Sequence, residues 1–319
     1  MFGRPLNASR VVWYLLRVPR RKQQSLLTLL IVIALWLAWA AYKRYYLHPA
    51  PGDKAGPAPR TQPAPRPPGS AASNLLAGNP SGAASGAGAS PDNYLLERAG
   101  YALSYNRSKG TPNWVSWRLE RSDLGDAERQ NDFRPDDALP AGWYRVTPSD
   151  YTGSGFDRGH MSPSADHSAD PQSNSDTFLM TNMVPQAPDN NQGPWKQLEE
   201  YERGLAAQGN ELYVVAGPAG VGGAGSKGAA GKTPNGKVTV PAQTWKVILV
   251  LPEGADISQA GADARAIAVI MPNRQGIKNQ DWRAFRVSVD EVERLTGYDF
   301  FSAAPAAAQA AFESRVDDK

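Results

Sequence analysis

Between Asp157 and Arg203 the chain gathers a set of side chains that could do chemistry together. An imidazole, His160, sits in Asp157-Arg158-Gly159-His160-Met161. An amide suited to a hard metal, Asn191, and a carboxylate, Glu199, follow it, with Arg158 and Arg203 as flanking cations. Cleaving a phosphodiester needs a base for the attacking water, positive charge against the developing negative charge, and stabilisation of the leaving oxygen. Histidine near neutral pH suits the first role. An oxygen-ligated hard cation that keeps most of its waters suits the other two. The chain holds two other histidines, His48 in a Pro-rich stretch and His167 close to the motif, and His167 reads as structural.

The elements that must hold these residues can be outlined from pattern. Pro194 fits a first helical position, with Gly193 or Gln192 before it as cap. Trp195, Leu198 and Leu205 then form an apolar stripe with Tyr201 at its border. This puts Asn191 just before the helix and Glu199 about a turn and a half inside it. Arg203, four residues past Glu199, can pair with it on one face, although such a pair taken alone is worth little. Strands are expected at 101–105, 114–119, 211–216, 238–240, 244–250 and 266–271, with a turn at Lys109–Asn113. Residues 123–150 read as loop. The glycine-rich stretch 217–236 is either a substrate-facing flap or an insertion, and it lacks the strand-turn-helix spacing of a nucleotide-binding loop. A helix is expected at 290–295, capped by Ser288 or Asp290, and a frayed Ala-rich helix after Pro305. Strands without regular alternation with helices indicate an α+β domain.

With 319 residues and 41% hydrophobic content the chain can bury one large core or two small ones. It has no cysteine, which removes disulfides and thiolate metal sites. Its net charge of +3 is uneven: eleven Lys and Arg face one acid up to Arg66, and the remaining 23 basic and 30 acidic residues give −7. That argues against a protein that coats nucleic acid through its overall field, and any phosphate affinity must come from a local cluster.

The N-terminus divides by composition. Residues 1–25 are basic, and 26–42 are apolar with Trp36, Trp39, Tyr42, Tyr45 and Tyr46 at the far end. A run of about 17 apolar residues just crosses a hydrocarbon core, and the leading cations favour an inward N-terminus with the rest exported. The competing readings are a secreted protein, cleaved after a signal peptide at Ala38-Trp39-Ala40, and an Arg-rich organelle targeting sequence. The long leading segment and Lys43-Arg44 just after the site favour a retained membrane anchor. Residues 43–92 read as a Pro/Ala/Gly/Ser-rich linker, 93–305 as the folded domain and 306–319 as a tail.

The motifs as a set are identified by resemblance. Asp157-Arg158-Gly159-His160, Asn182-Met183-Val184-Pro185-Gln186, and Asn191 with Trp195 and Leu198-Glu199 resemble the DNA/RNA non-specific endonuclease family. The likeness extends to the endonuclease G branch through Asp150-Tyr151-Thr152-Gly153-Ser154-Gly155-Phe156, Asn131-Asp132-Phe133-Arg134, Val240-Pro241 and Lys246-Val247. The resemblance covers residues 94–304 and implies a ββα-metal core with a central antiparallel sheet flanked by helices. It implies His160 as general base and Asn191 as the sole direct protein ligand of Mg2+, with Mn2+ as a substitute. Glu199 and Asp157 would hold metal-bound waters, while Arg158, Arg129 and Arg203 would contact phosphates. Arg134 competes with Arg129 for that role, and Asn182 would orient the site. The substrates implied are DNA and RNA without sequence preference. Some family members are dimers, so a homodimer is a candidate assembly. The alternative is an inactive relative that binds nucleic acid at the membrane.

Overall fold

The computed structural model describes residues 74–319. Its frame is one antiparallel sheet of seven strands in the order β1-β2-β3-β6-β9-β10-β11. These are β1 (Tyr94–Glu97), β2 (Ala102–Asn106), β3 (Thr111–Leu119), β6 (Asn210–Ala219), β9 (Gln243–Pro252), β10 (Arg265–Pro272) and β11 (Arg286–Val287). Two small sheets stand apart: β4 (Asp157–His160) with β5 (Met183–Gln186), and β7 (Gly223–Gly225) with β8 (Gly228–Ala230).

Successive side chains on a strand point to opposite faces, and here both faces are buried. Val115, Trp117, Leu212, Val214, Ile248 and Ile267 pack one face against Met161, Val184, Trp195 and Leu198, all from the motif segment. Trp114, Tyr213, Val215, Trp245, Val247 and Leu249 pack the other against Val289, Val292, Phe300, Phe301 and Phe312. The sheet is therefore a wall with the candidate chemistry on one side and the C-terminal helices on the other.

The helices are α1 (Pro171–Asp176), α2 (Lys196–Ala207), α3 (Val289–Thr296) and α4 (Ala306–Glu313). Ser288 caps α3 by accepting from Glu291 N, which decides between the two expected caps, and Gly297 ends it with φ 74°.

Three expectations need correction. The linker was expected to run to residue 92, but from Asn74 the chain is packed on the sheet. Ala77 and Ala83 enter the core, Asn74 Nδ2 donates to Ala99 O at 3.0 Å, and Ser81 Oγ accepts from the Trp114 indole at 2.8 Å. Small residues can seat closely on a sheet face, so low hydrophobicity here does not mean disorder. The tail after 305 also belongs to the domain, because Phe312 is in the core and Asp317 pairs with Arg265 at 2.7 Å. Finally, residues 238–240 join no sheet; Thr239 makes only an isolated bridge to Lys232. Among the described residues no helix is long and apolar enough to cross a membrane. The apolar run 26–42, the basic segment before it and the linker to residue 73 lie outside the described residues.

Candidate active site

The two short strands and the helix behind them form a ββα unit. β4 runs antiparallel to β5 with Asp157 opposite Gln186 and His160 opposite Met183. Gly159 is required by closeness, since a Cβ there would lie 2.6 Å from the Gln186 Cβ. After β5 the chain makes one helical turn, Pro188–Asn190, and a wide turn, Asn191–Trp195, before α2. Gly193 breaks the helical path at φ −112°, ψ −117°, and its backbone lies against Lys278 with no room for a side chain.

Asp157 and Asn191 meet across this unit. The Asn191 amide donates to Asp157 Oδ2 at 2.9 Å, and Gln192 donates to the same oxygen at 2.9 Å. Among the described residues the Asn191 amide oxygen accepts no hydrogen bond. Asp157, Arg158 and Asn191 line a cavity of about 340 Å³ with Phe133, Tyr151, Thr152 and Phe156.

At the other end of β4, His160 is 8% exposed and its Nε2 has no hydrogen-bond partner. Its ring packs edgewise on Phe178 at 4.9 Å and Phe133 at 5.5 Å. Each phenyl carries an arginine: Arg158 lies 4.3 Å over Phe133, and Arg129 lies 4.8 Å over Phe178. Burial first, then the charges of Arg129 and Arg158, push the imidazole pKa down to about 3. The ring is thus held in its neutral form, with Nε2 unpartnered.

Arg129 is aimed by Asn131, whose Oδ1 accepts from Nε at 2.9 Å, and by Ser164, whose Oγ accepts from its Nη1 at 2.6 Å. Arg134, the competing arginine, is pinned elsewhere by Asp132 at 2.7 Å and Asp176 at 3.2 Å. Asn182 is fully buried behind the histidine strand. Its Nδ2 donates to Ser162 O and Thr177 O at 2.8 Å, and its Oδ1 accepts from Ser162 N at 3.0 Å. That clamps the turn leaving His160. His167 is tied to Ser162 Oγ at 2.7 Å and is buried.

The expected Glu199–Arg203 pair is not formed. Arg203 reaches across to Asp166 at 2.9 Å, a carboxylate fully buried by β3, because Asp166 also accepts from the Trp117 indole at 3.1 Å. Glu199 is left half-buried, and burial, opposed chiefly by the charge of Lys246, pushes its pKa up to about 7. Burial lowers the Arg129 pKa, and the charge of nearby Glu199 only partly opposes that shift.

Beneath Glu199 lies a pair that periodicity did not reveal. Lys246 and Glu202 are both fully buried and bonded at 2.9 and 3.2 Å, with the ammonium 4.6 Å over Trp195 and 5.4 Å over Trp117. The available signal was a lysine inside the apolar run Trp245-Lys246-Val247-Ile248. Phe133, Phe178, Gln192 and Asp166 were also missed as neighbours of the site. The glycine-rich stretch proves to be a support: Ser226 N donates to Gly155 O at 2.9 Å, and Ala230 packs beside Phe156, the residue before Asp157.

An unpartnered imidazole between arginines, with an oxygen-donor pair at the other end of the same strand, defines a hydrolytic site for an anionic substrate. The profile of the DNA/RNA non-specific endonuclease family matches residues 79–307, and the chain belongs to that family. It is 55% identical over 246 residues to a nuclease of Nostoc sp., covering 77% of this chain and 86% of that protein. It is 32% identical over 207 residues to the mitochondrial nuclease EXOG of Xenopus laevis, covering 63% of this chain but 56% of that relative. Among solved structures it is similar to the EndoG of an EndoG/EndoGI complex, with TM-score 0.60 and 27% identity over 74% of this chain and 94% of that one. The chain is thus a DNA/RNA endonuclease with a central antiparallel sheet of the EndoG type.

Proposed function

We propose that the chain is a magnesium-dependent, sugar-non-specific endonuclease, tethered to a membrane by residues 26–42, with its catalytic domain on the exported side. The observation that carries the catalytic part is the His160 ring: neutral, unpartnered at Nε2, and bracketed by Arg129 and Arg158. His160 takes a proton from the water that attacks phosphorus. Arg158 is exposed and makes no ion pair among the described residues, so its guanidinium can bind an adjacent phosphate. Arg129 keeps donor capacity beyond Asn131 and Ser164 and faces the same substrate. Arg203, held by Asp166, contributes its charge from a fixed position.

The donor set fits a hard cation. Asn191 presents a free amide oxygen, Asp157 and Glu199 are carboxylates, and no sulfur is present. Asn191 would hold the ion directly, with Asp157 and Glu199 acting through its waters. When bound, the ion supplies Lewis-acid stabilisation of charge on the phosphate and leaving oxygen. Phosphate contacts carry no base information, so DNA and RNA of either strandedness are substrates.

Plasmid and RNA degradation by the full-length protein in magnesium tests this reading. His160→Ala should reduce turnover about 10²–10⁴-fold. Wild type that binds nucleic acid but leaves plasmid and RNA intact with magnesium or manganese would identify an inactive binder instead. The exported placement is tested by protease accessibility of the domain in intact cells; protection would reverse the orientation.

A further inference from the structure

The opposite side of the sheet carries a second group of oxygen donors. Asp290 and Glu293 stand three residues apart on α3, and Glu313 is the last residue of α4. One oxygen from each lies within 4.8 Å of the others. Glu313 is 4% exposed, and its Oε1 is buried with no hydrogen-bond partner. The Glu293 carboxylate accepts from Phe300 N at 2.8 Å, which fixes its position.

This arrangement is unfavourable without a counter-charge. Glu313 sits at the negative end of its helix dipole, and the last turn of α4 contains no basic residue. Asp299 adds further negative charge near it, and among the described residues no basic group is an electrostatic neighbour. A buried carboxylate oxygen without a partner is expensive unless the group is neutralised or coordinates a metal. The family profile ends at residue 307, before Glu313, so the cluster is not contained in the matched region.

We propose that Asp290, Glu293 and Glu313 form a binding site for a hard divalent cation of the calcium class, which clamps α4 to α3 on the back of the sheet. Three carboxylate oxygens within 4.8 Å suit bonds of about 2.3–2.6 Å, and the flexible coordination of calcium tolerates waters in the remaining positions. Magnesium, with bonds of about 2.0–2.1 Å and near-octahedral demands, fits less well. The site is independent of the nuclease reading, since the sheet lies between the two.

Chelator-treated full-length protein carrying Asn191→Ala, which removes the direct ligand of the candidate active site, is titrated with calcium chloride. Calorimetry should count one ion per chain, and Tm should rise by about 5 °C at a hundredfold excess over Kd. Magnesium at the same concentration should give a smaller shift. Glu313→Gln should abolish the calcium response while raising the ion-free Tm, because it removes a buried acid that folding holds away from water. Asp290→Asn, at a half-buried position, should weaken binding at least tenfold and guards against misfolding of the first variant. An unchanged Tm with calcium, a calcium response that survives Glu313→Gln, or a stronger response to magnesium would overturn the proposal.

Discussion

At the scale of residues, pH behaviour separates the proposed base, His160, from Glu199, the carboxylate proposed to hold the cation's waters. The His160 pKa is depressed to about 3, so the ring stays neutral from there upward and does not set the acid limb of activity. Glu199 is raised to about 7, so below that pH it is increasingly protonated, and on the proposed function the cation's bound waters would have to displace its proton. The magnesium concentration for half-maximal activity should therefore rise as pH falls from 8 to 6, and a requirement independent of pH would remove Glu199 from the cation's surroundings. The same shift has a sign for stability. Glu199 holds its proton in the folded state above its unfolded pKa, so its contribution to stability falls as pH rises from about 4.5 to 7. Glu199→Gln should then lose activity yet raise unfolding free energy at pH 8 by on the order of 1 kcal/mol, read from urea midpoints.

At the scale of elements, what was legible followed period and punctuation. Alternation located β2, β3, β6, β9 and β10, and Pro194 with the Trp195-Leu198-Leu205 stripe located α2. Residues 238–240 look like a strand by composition but are held as an irregular segment by Thr233 and Gly231, because β9 takes the place beside β6. Asn191 and His160 stood out as candidates because motif and spacing marked them, whereas the Phe133–His160–Phe178 stack depends on contacts between distant loops that no local pattern encodes. The same limit hid the Lys246–Glu202 pair, which joins β9 to α2 inside the core. Breaking a buried pair leaves an uncompensated charge, so Lys246→Met should cost about 3–5 kcal/mol. Lys246→Met with Glu202→Leu should recover most of that loss. Denaturant unfolding of the two variants checks it, and a double variant no more stable than the single one would show that the pair itself holds α2 to the sheet.

At the scale of the whole molecule, charge and boundary work together. The domain is net acidic, yet Arg129 and Arg158 flank one imidazole and Arg203 lines a cavity with Arg129, so phosphate attraction is local and a metal ion fits the arrangement better than a general positive field. The boundary that composition placed at residue 92 stands earlier, because the Ala- and Gly-rich segment from Asn74 fills space on the sheet face that larger side chains would not enter. Its removal would expose the Trp114 indole and Ser116, whose partners are Ser81 and the Asn74 carbonyl. Each buried polar group left without a partner costs about 1–3 kcal/mol, and the lost burial of Ala77 and Ala83 adds to it. A chain starting at Asn74 should therefore be as stable and active as the full-length protein on plasmid. One starting at Asn93 should unfold at a clearly lower denaturant concentration, by about 2–6 kcal/mol, although every proposed catalytic side chain is retained. Equal midpoints for the two truncations would mean that the segment merely rests on the surface and that the domain begins at β1.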